Sequence, residues 1–217
     1  MRNICFIIIF LLILSSCADN TIYFDKPQPD GIKNLEKIPS SFTGKYIDND
    51  SNILLIDNYQ IYKINKFTYS YNKTEIDTSK NLKIENGHLI NTETNEKKVC
   101  KIDNNNVYIE EFQIDTIFNL SENNIIKKYK GNLILNYKSE DLWRVEIISQ
   151  SKKYLNHTFI CTKELFEKLS LISENEVVTD ISNSDTLKMI LKPTKNEFKE
   201  ILDLKDSFVI NKYREQK

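Results

Sequence analysis

Leu82-Lys-Ile-Glu-Asn86-Gly87-His-Leu-Ile90 alternates apolar and polar residues before an Asn-Gly pair and returns to apolar residues after it. Alternation sends every second side chain to one face of a strand, and Asn-Gly supplies the two positive φ angles of a type I′ turn at little steric cost. The stretch therefore predicts a β-hairpin, and the same pattern continues outward from it. Towards the N-terminus, Ile53 to Ile56 and Gln60 to Ile64 flank Asp57-Asn58-Tyr59, and Phe67, Tyr69 and Tyr71 alternate with Thr68, Ser70 and Asn72. Towards the C-terminus, Lys97 to Ile102 and Val107 to Phe112 flank Asp103-Asn-Asn-Asn106. Residues 40–124 are thus expected to form a β-rich unit of hairpins.

The apolar pattern pauses at Leu120-Ser-Glu-Asn-Asn124 and resumes at Lys128-Tyr129-Lys-Gly131-Asn-Leu133, followed by strand candidates at Trp143 to Ile148 and Leu155 to Cys161. Two helices are expected, at about 162–171 and 194–204. Thr162 is placed to cap the first, with Leu165, Phe166 and Leu169 at helical spacing. Thr194-Lys-Asn-Glu197 is a capping box for the second, whose apolar stripe is Phe198, Ile201 and Leu202. Glu176 to Ile181, Thr186 to Leu191 and Phe208 to Tyr213 complete the strands. Residues 125–217 then read as an α+β unit, and the chain as predominantly antiparallel α+β, its two units folding separately or as one domain. Phe42-Thr-Gly44-Lys-Tyr46-Ile47 and Tyr129-Lys-Gly131-Asn-Leu133-Ile134 share an aromatic, a Gly and an apolar pair at equal offsets, which predicts that each opens one unit.

The chain begins with Met1-Arg2-Asn3, a wholly apolar run from Ile4 to Leu14, and then Ser15-Ser16-Cys17. The apolar run is about half the roughly 20 residues a membrane-spanning helix needs, and the arrangement is that of a secretory signal. Leu14-Ser15-Ser16-Cys17 resembles the lipobox of bacterial lipoproteins. That resemblance implies cleavage of residues 1–16, diacylglycerol on the Cys17 sulfur, and a cell-envelope protein held to a membrane by its lipid. Ala18 follows the Cys where Asp favours the inner membrane in Gram-negative lipoproteins, so the outer membrane is the expected address. Residues 17–39, polar and punctuated by Pro27, Pro29, Gly31 and Pro39, read as the lipid-anchored N-terminus and a flexible tether, on which Tyr23-Phe24 and Leu35 are the residues able to dock on the body.

With 217 residues and a net charge of −1, basic and acidic side chains are interleaved along the chain. No basic patch gathers to release counterions, so nucleic acid is not an expected partner. The pairs Lys97-Lys98, Lys127-Lys128 and Lys152-Lys153 read as solvated strand or loop ends. Of four cysteines, Cys5 leaves with the signal and Cys17 carries the lipid. Cys100 and Cys161 remain, either bridged, as an envelope compartment permits, or as two buried thiols acting as small hydrophobes.

The two histidines, His88 and His157, sit in no catalytic motif, and no Gly-x-Ser-x-Gly elbow, His-Glu-x-x-His helix or Gly-rich phosphate loop occurs. No catalytic residue and no cofactor is assigned. Glycoside hydrolysis requires two carboxylates across a cleft, and the neighbours Glu110 and Glu111 point to opposite faces of a strand. Asp48-Asn-Asp50-Ser-Asn52 alternates oxygen ligands as a calcium loop does, but Ile53 stands at the bend Gly and Tyr59 at the closing Glu. A polar turn is expected there. The rings of Phe67, Tyr69 and Tyr71 share one strand face, either as core or as a stacking platform for a ligand.

Phe42-Thr-Gly44-Lys-Tyr46 resembles the Gly-x-Trp element of lipocalin and calycin barrels, with Tyr46 for the Trp; that likeness implies a closed barrel carrying a small apolar ligand. Asp115-Thr116-Ile117 and Asp185-Thr186-Leu187 resemble the O-glycosylation acceptor of Bacteroidetes, whose lipoproteins the composition also resembles. The expectation is a non-catalytic, lipid-anchored envelope protein whose β-rich body binds a protein or glycan partner or serves a structural role. An apolar-ligand carrier is the alternative, and an envelope hydrolase requires two carboxylates converging in one cleft.

Overall fold

The structure is a computed structural model that describes residues 21–160, 164–179, 187–204 and 208–216. In chain order the elements are β1 (Thr21–Phe24), β2 (Gly44–Ile47), β3 (Ile53–Ile56), β4 (Gln60–Asn72), α1 (Lys73–Thr78), β5 (Leu82–Glu85), β6 (His88–Asn91), β7 (Lys97–Asp103) and β8 (Asn106–Asn119). They continue as β9 (Asn124–Tyr129), β10 (Asn132–Ser139), β11 (Leu142–Gln150), β12 (Leu155–Phe159), α2 (Glu164–Ile172), β13 (Asn175–Thr179), β14 (Leu187–Leu191), α3 (Lys195–Asp203) and β15 (Val209–Glu215). The fold is β-rich α+β with a largely antiparallel open sheet. β1 departs from antiparallel order, running parallel to β14 from Thr21↔Lys188 to Phe24↔Leu191.

Two compact units divide the chain, each from separated segments: residues 1–37 with 120–212, and residues 38–119 with 213–217. This corrects the boundaries expected from the sequence, because the first segment crosses into the later unit and the last five residues into the earlier one. It also corrects the tether. Thr21–Phe24 is a sheet strand with Ile22 and Phe24 buried, and Lys127 Nζ donates to the Pro27 and Pro29 carbonyls at 2.7 and 2.9 Å. Asn136 Nδ2 donates to the Gln28 carbonyl at 2.9 Å, and the Leu35 amide to the Ile126 carbonyl at 2.8 Å. Prolines here fix a strap across the sheet.

In the unit of residues 38–119 and 213–217, strands follow the order β2-β3-β4-β8-β7-β6-β5. Its backbone is the ribbon of β4 and β8, paired from Gln60↔Asn119 to Asn72↔Asn106 with one register shift at Ile61/Tyr62. Asn86 and Gly87 take φ values of 51° and 74°, and β5 pairs β6 from Leu82↔Asn91 to Glu85↔His88, as the opening hairpin requires. Asn72 caps the short α1, accepting from the Thr74 amide at 2.9 Å. Ile76 of that helix packs on Leu89, Val107 and Ile109 in a small core edged by Leu82, Ile84 and Cys100. At the other end of the ribbon Leu54, Ile56, Ile61 and Phe118 are buried. β5 and β2 do not pair with each other, so this sheet is open and not the closed barrel implied by the calycin likeness.

In the other unit β11 is central, with β10 along one side from Leu133↔Ile148 to Ser139↔Leu142. β12 and β1 share its other side. One sheet face carries Ile22, Phe24, Ile134, Val145, Ile147, Met189 and Leu191, and α2 and α3 cover it with Leu165, Leu169, Phe198 and Ile201. The Phe24 and Phe198 rings meet edge-on, 6.0 Å between centroids and 71° between planes, and both are fully buried, worth roughly 1.5–3 kcal/mol each. The α3 capping box is complete: Glu197 N donates to Thr194 Oγ1 and Thr194 N to Glu197 Oε2. The two Gly motifs play unlike parts, since Gly44 opens β2 while Lys130-Gly131, at φ 51° and 80°, is the turn joining β9 to β10.

Candidate functional site

The alternation of Phe67, Tyr69 and Tyr71 places all three rings on one face of β4, opposite Glu111, Ile109 and Val107 of β8. That face continues through Lys98 of β7 and Leu89 of β6 to Leu82 of β5. The small core fills its far end. Short of it the rings stay open, Phe67 41%, Tyr69 45% and Tyr71 39% exposed, so the core reading of the stripe gives way. Tyr69 and Tyr71 form part of a cleft of about 330 Å³ whose apolar floor is Leu82, Leu89 and Ile109. Asn91, Glu96, Lys98 and Glu111 give it a polar wall. Phe67 lies one register position beyond, across from Glu111.

Charge in this wall is arranged around one ammonium group. Lys98 Nζ pairs with Glu111 Oε1, and with Glu96 Oε1 at 3.4 Å. The hydrogen bond to Glu111, with the charges of both glutamates, raises the Lys98 pKa above the ordinary lysine value. Two carboxylates therefore do converge in one cleft, the condition set for a hydrolase. A glycosidase pair, however, keeps one carboxyl protonated across an open gap, and here a lysine cation occupies the gap. Glu110, on the opposite face, pairs with Lys66 at 2.6 Å.

The remaining candidates are dispersed. Asp48 Oδ1 accepts from the Asp50 and Asn52 amides at 2.9 and 2.8 Å, and Oδ2 from Asn52 Nδ2 at 2.9 Å. Asn52 Oδ1 accepts from the Lys66 amide. In the calcium-like stretch the side-chain oxygens of Asp48 and Asn52 are thus used to build a polar turn, to which Asp50 contributes its amide, and no cluster of three metal-ligating side chains occurs among the described residues. Cys100 is half-buried beside the small core, and burial raises its thiol pKa. Cys161, the other cysteine of that possible pair, lies outside the described residues, as do Cys17, Thr162 and Thr186. Thr116 is exposed on β8. His88 is half-buried at the hairpin and its Nδ1 bonds the Asn86 carbonyl at 2.9 Å.

One constellation has no local sequence signal. Tyr137 of β10, Glu146 of β11 and His157 of β12 lie on the sheet face away from α2 and α3, and Glu146 Oε2 accepts from Tyr137 Oη and His157 Nε2, each at 2.7 Å. His157 is 2% exposed. Burial, then the Glu146 charge and hydrogen bond, hold the Tyr137 phenol pKa well above its ordinary value, opposed by Arg144, whose guanidinium lies 5.7 Å from the ring centroid. Only strand register brings these three together, so spacing in the chain offered no signal. Lys127, expected as a solvated end, is instead 4% exposed, and burial lowers its pKa.

Comparison with family models, with curated proteins and with solved structures found no match for this chain.

Proposed function

We propose that this chain is a lipid-anchored cell-envelope lipoprotein, attached through Cys17, whose tyrosine-lined cleft binds a neutral glycan without chemically changing it. The observation that carries the reading is the cleft of Tyr69 and Tyr71, where open aromatic faces adjoin hydrogen-bonding groups on Asn91, Glu96, Lys98 and Glu111. Rings of this kind present an apolar surface to the C–H face of a sugar, and the polar rim matches its hydroxyls. The charges favour an uncharged ligand, since one ammonium is already held by two carboxylates and the leftover negative charge repels an anion. Binding is favoured over hydrolysis because Lys98 sits between the two acids.

Calorimetric titration of the full-length chain with neutral oligosaccharides of differing linkage tests this reading. Saturable binding weakened about tenfold, or 1.4 kcal/mol, by Tyr69→Ala or Tyr71→Ala is expected, with little dependence on salt. Absence of saturable binding across the panel, or unchanged affinity in both variants, overturns it. Mass spectrometry of the N-terminal peptide from membranes addresses the anchor separately, and an unacylated Cys17 refutes that part.

A further inference from the structure

A second cleft, of about 460 Å³, lies in the α/β-layered unit between the β9–β10 turn, the β11–β12 end of the sheet, α3 and the first half of β15. Lys130, Lys199 and Lys212 reach it from the turn, the helix and the strand, respectively. Asp203 is the acid among its described lining residues, which therefore carry two positive charges in excess. The three ammonium groups make no ion pair among the described residues, whereas Lys26, Lys66, Lys83, Lys98 and Lys192 each hold a carboxylate. Ser149, Asn156 and Thr158 add hydroxyl and amide groups, and Leu202 and Phe208 an apolar wall.

We infer that this cleft is a binding site for a phosphate monoester, with Lys130, Lys199 and Lys212 around the phosphoryl group and Leu202 and Phe208 beside its organic portion. Three like charges line one cleft, and a phosphate monoester carries about −1.5 to −2 charges near pH 7, which matches the two in excess among the described residues. Lysine ammonium is an effective point-charge partner for phosphate, while hydroxyls and amides satisfy the remaining phosphoryl oxygens. The inference is independent of the glycan cleft, since the two share no residue.

The full-length chain is titrated with inorganic phosphate, glycerol 3-phosphate and water-soluble short-chain phosphatidic acid, which separates a free metabolite from a lipid headgroup. Wild type is compared with Lys199→Gln, Lys212→Gln and Lys138→Gln, the last lying outside the cleft. All three side chains are exposed, so thermal midpoints should coincide. Saturable binding of either phosphate monoester, weakened about tenfold by Lys199→Gln and Lys212→Gln but not by Lys138→Gln, and weakened by added salt, is the expected result; preference between the two esters identifies the source. Failure of both esters to bind the wild type, or equal weakening by Lys138→Gln, overturns the site.

Discussion

Replacing Glu146 with alanine should destabilise the α/β-layered unit by about 3 kcal/mol. The carboxylate is the shared acceptor for Tyr137 and His157, at 2.7 Å to each. As an ionised carboxylate only accepts hydrogen bonds, His157 Nε2 must carry a proton and act as donor. With the ring 2% exposed, removing its acceptor leaves that N–H without a partner, at about 1–3 kcal/mol. The bond from Tyr137 to a charged acceptor contributes roughly another 1.5–3 kcal/mol, and partial entry of water where Glu146 is 19% exposed brings the sum down to about 3. Glu146→Gln keeps an acceptor oxygen and should cost about half as much. Trp143 packs on the core of the same unit and is the sole tryptophan, so its fluorescence in urea follows this unit. At a slope of about 2 kcal/mol per M, the alanine midpoint should fall by about 1.5 M with the slope unchanged. A fall worth less than about 1 kcal/mol, or equal effects of alanine and glutamine, would refute a structural role for the triad's shared oxygen.

Tyr213 is 1% exposed, and burial, aided by the Asp48 charge, pushes its phenol up to about 12. A folded pKa above the unfolded value of about 10 gives stability that is present below pH 10 and lost as pH rises towards 12, about 3 kcal/mol at most by linkage; Tyr213→Phe should flatten part of that loss in circular-dichroism melts. Thr194→Ala removes the acceptor for Glu197 N and should cost about 1 kcal/mol, read from the same Trp143 urea curve. Burial raises the Cys100 thiol pKa, so alkylation at pH 8 should be markedly slower in the folded protein than in urea; equal rates refute that placement.

The parts of the fold that were legible in the sequence are those whose signals are local. Asn86-Gly87 fixes its own backbone angles, Asp57 binds the Tyr59 and Gln60 amides within its own turn, and Thr194 and Glu197 satisfy each other across one helical turn. Elements decided by distant partners were not legible. Thr21–Phe24 is too short and too polar in its surroundings to declare itself, and becomes a strand only because Met189 and Leu191 lie beside it. Helix α1 offers a single buried residue, Ile76, too little for a periodicity. For the candidate glycan cleft, the tyrosine stripe was visible as alternation, but its exposure was not, because the same alternation serves a core. Lys98, Glu96 and Glu111 join that stripe only through β7–β8 register.

The early position of β1 bears on how closely this protein can approach a membrane. If Cys17 carries the lipid, Ala18, Asp19 and Asn20 alone separate it from the first residue of β1. At no more than about 3.6 Å per residue, the four steps from Cys17 to Thr21 reach roughly 14 Å, less than half the thickness of a bilayer's hydrocarbon core of about 30 Å. The end of β1 at Thr21 would then ride against the headgroups, leaving little clearance for a partner to pass beneath it. Lengthening the link by inserting glycine and serine after Asn20 would raise the domain without touching its fold, making standoff height an experimental variable in its own right.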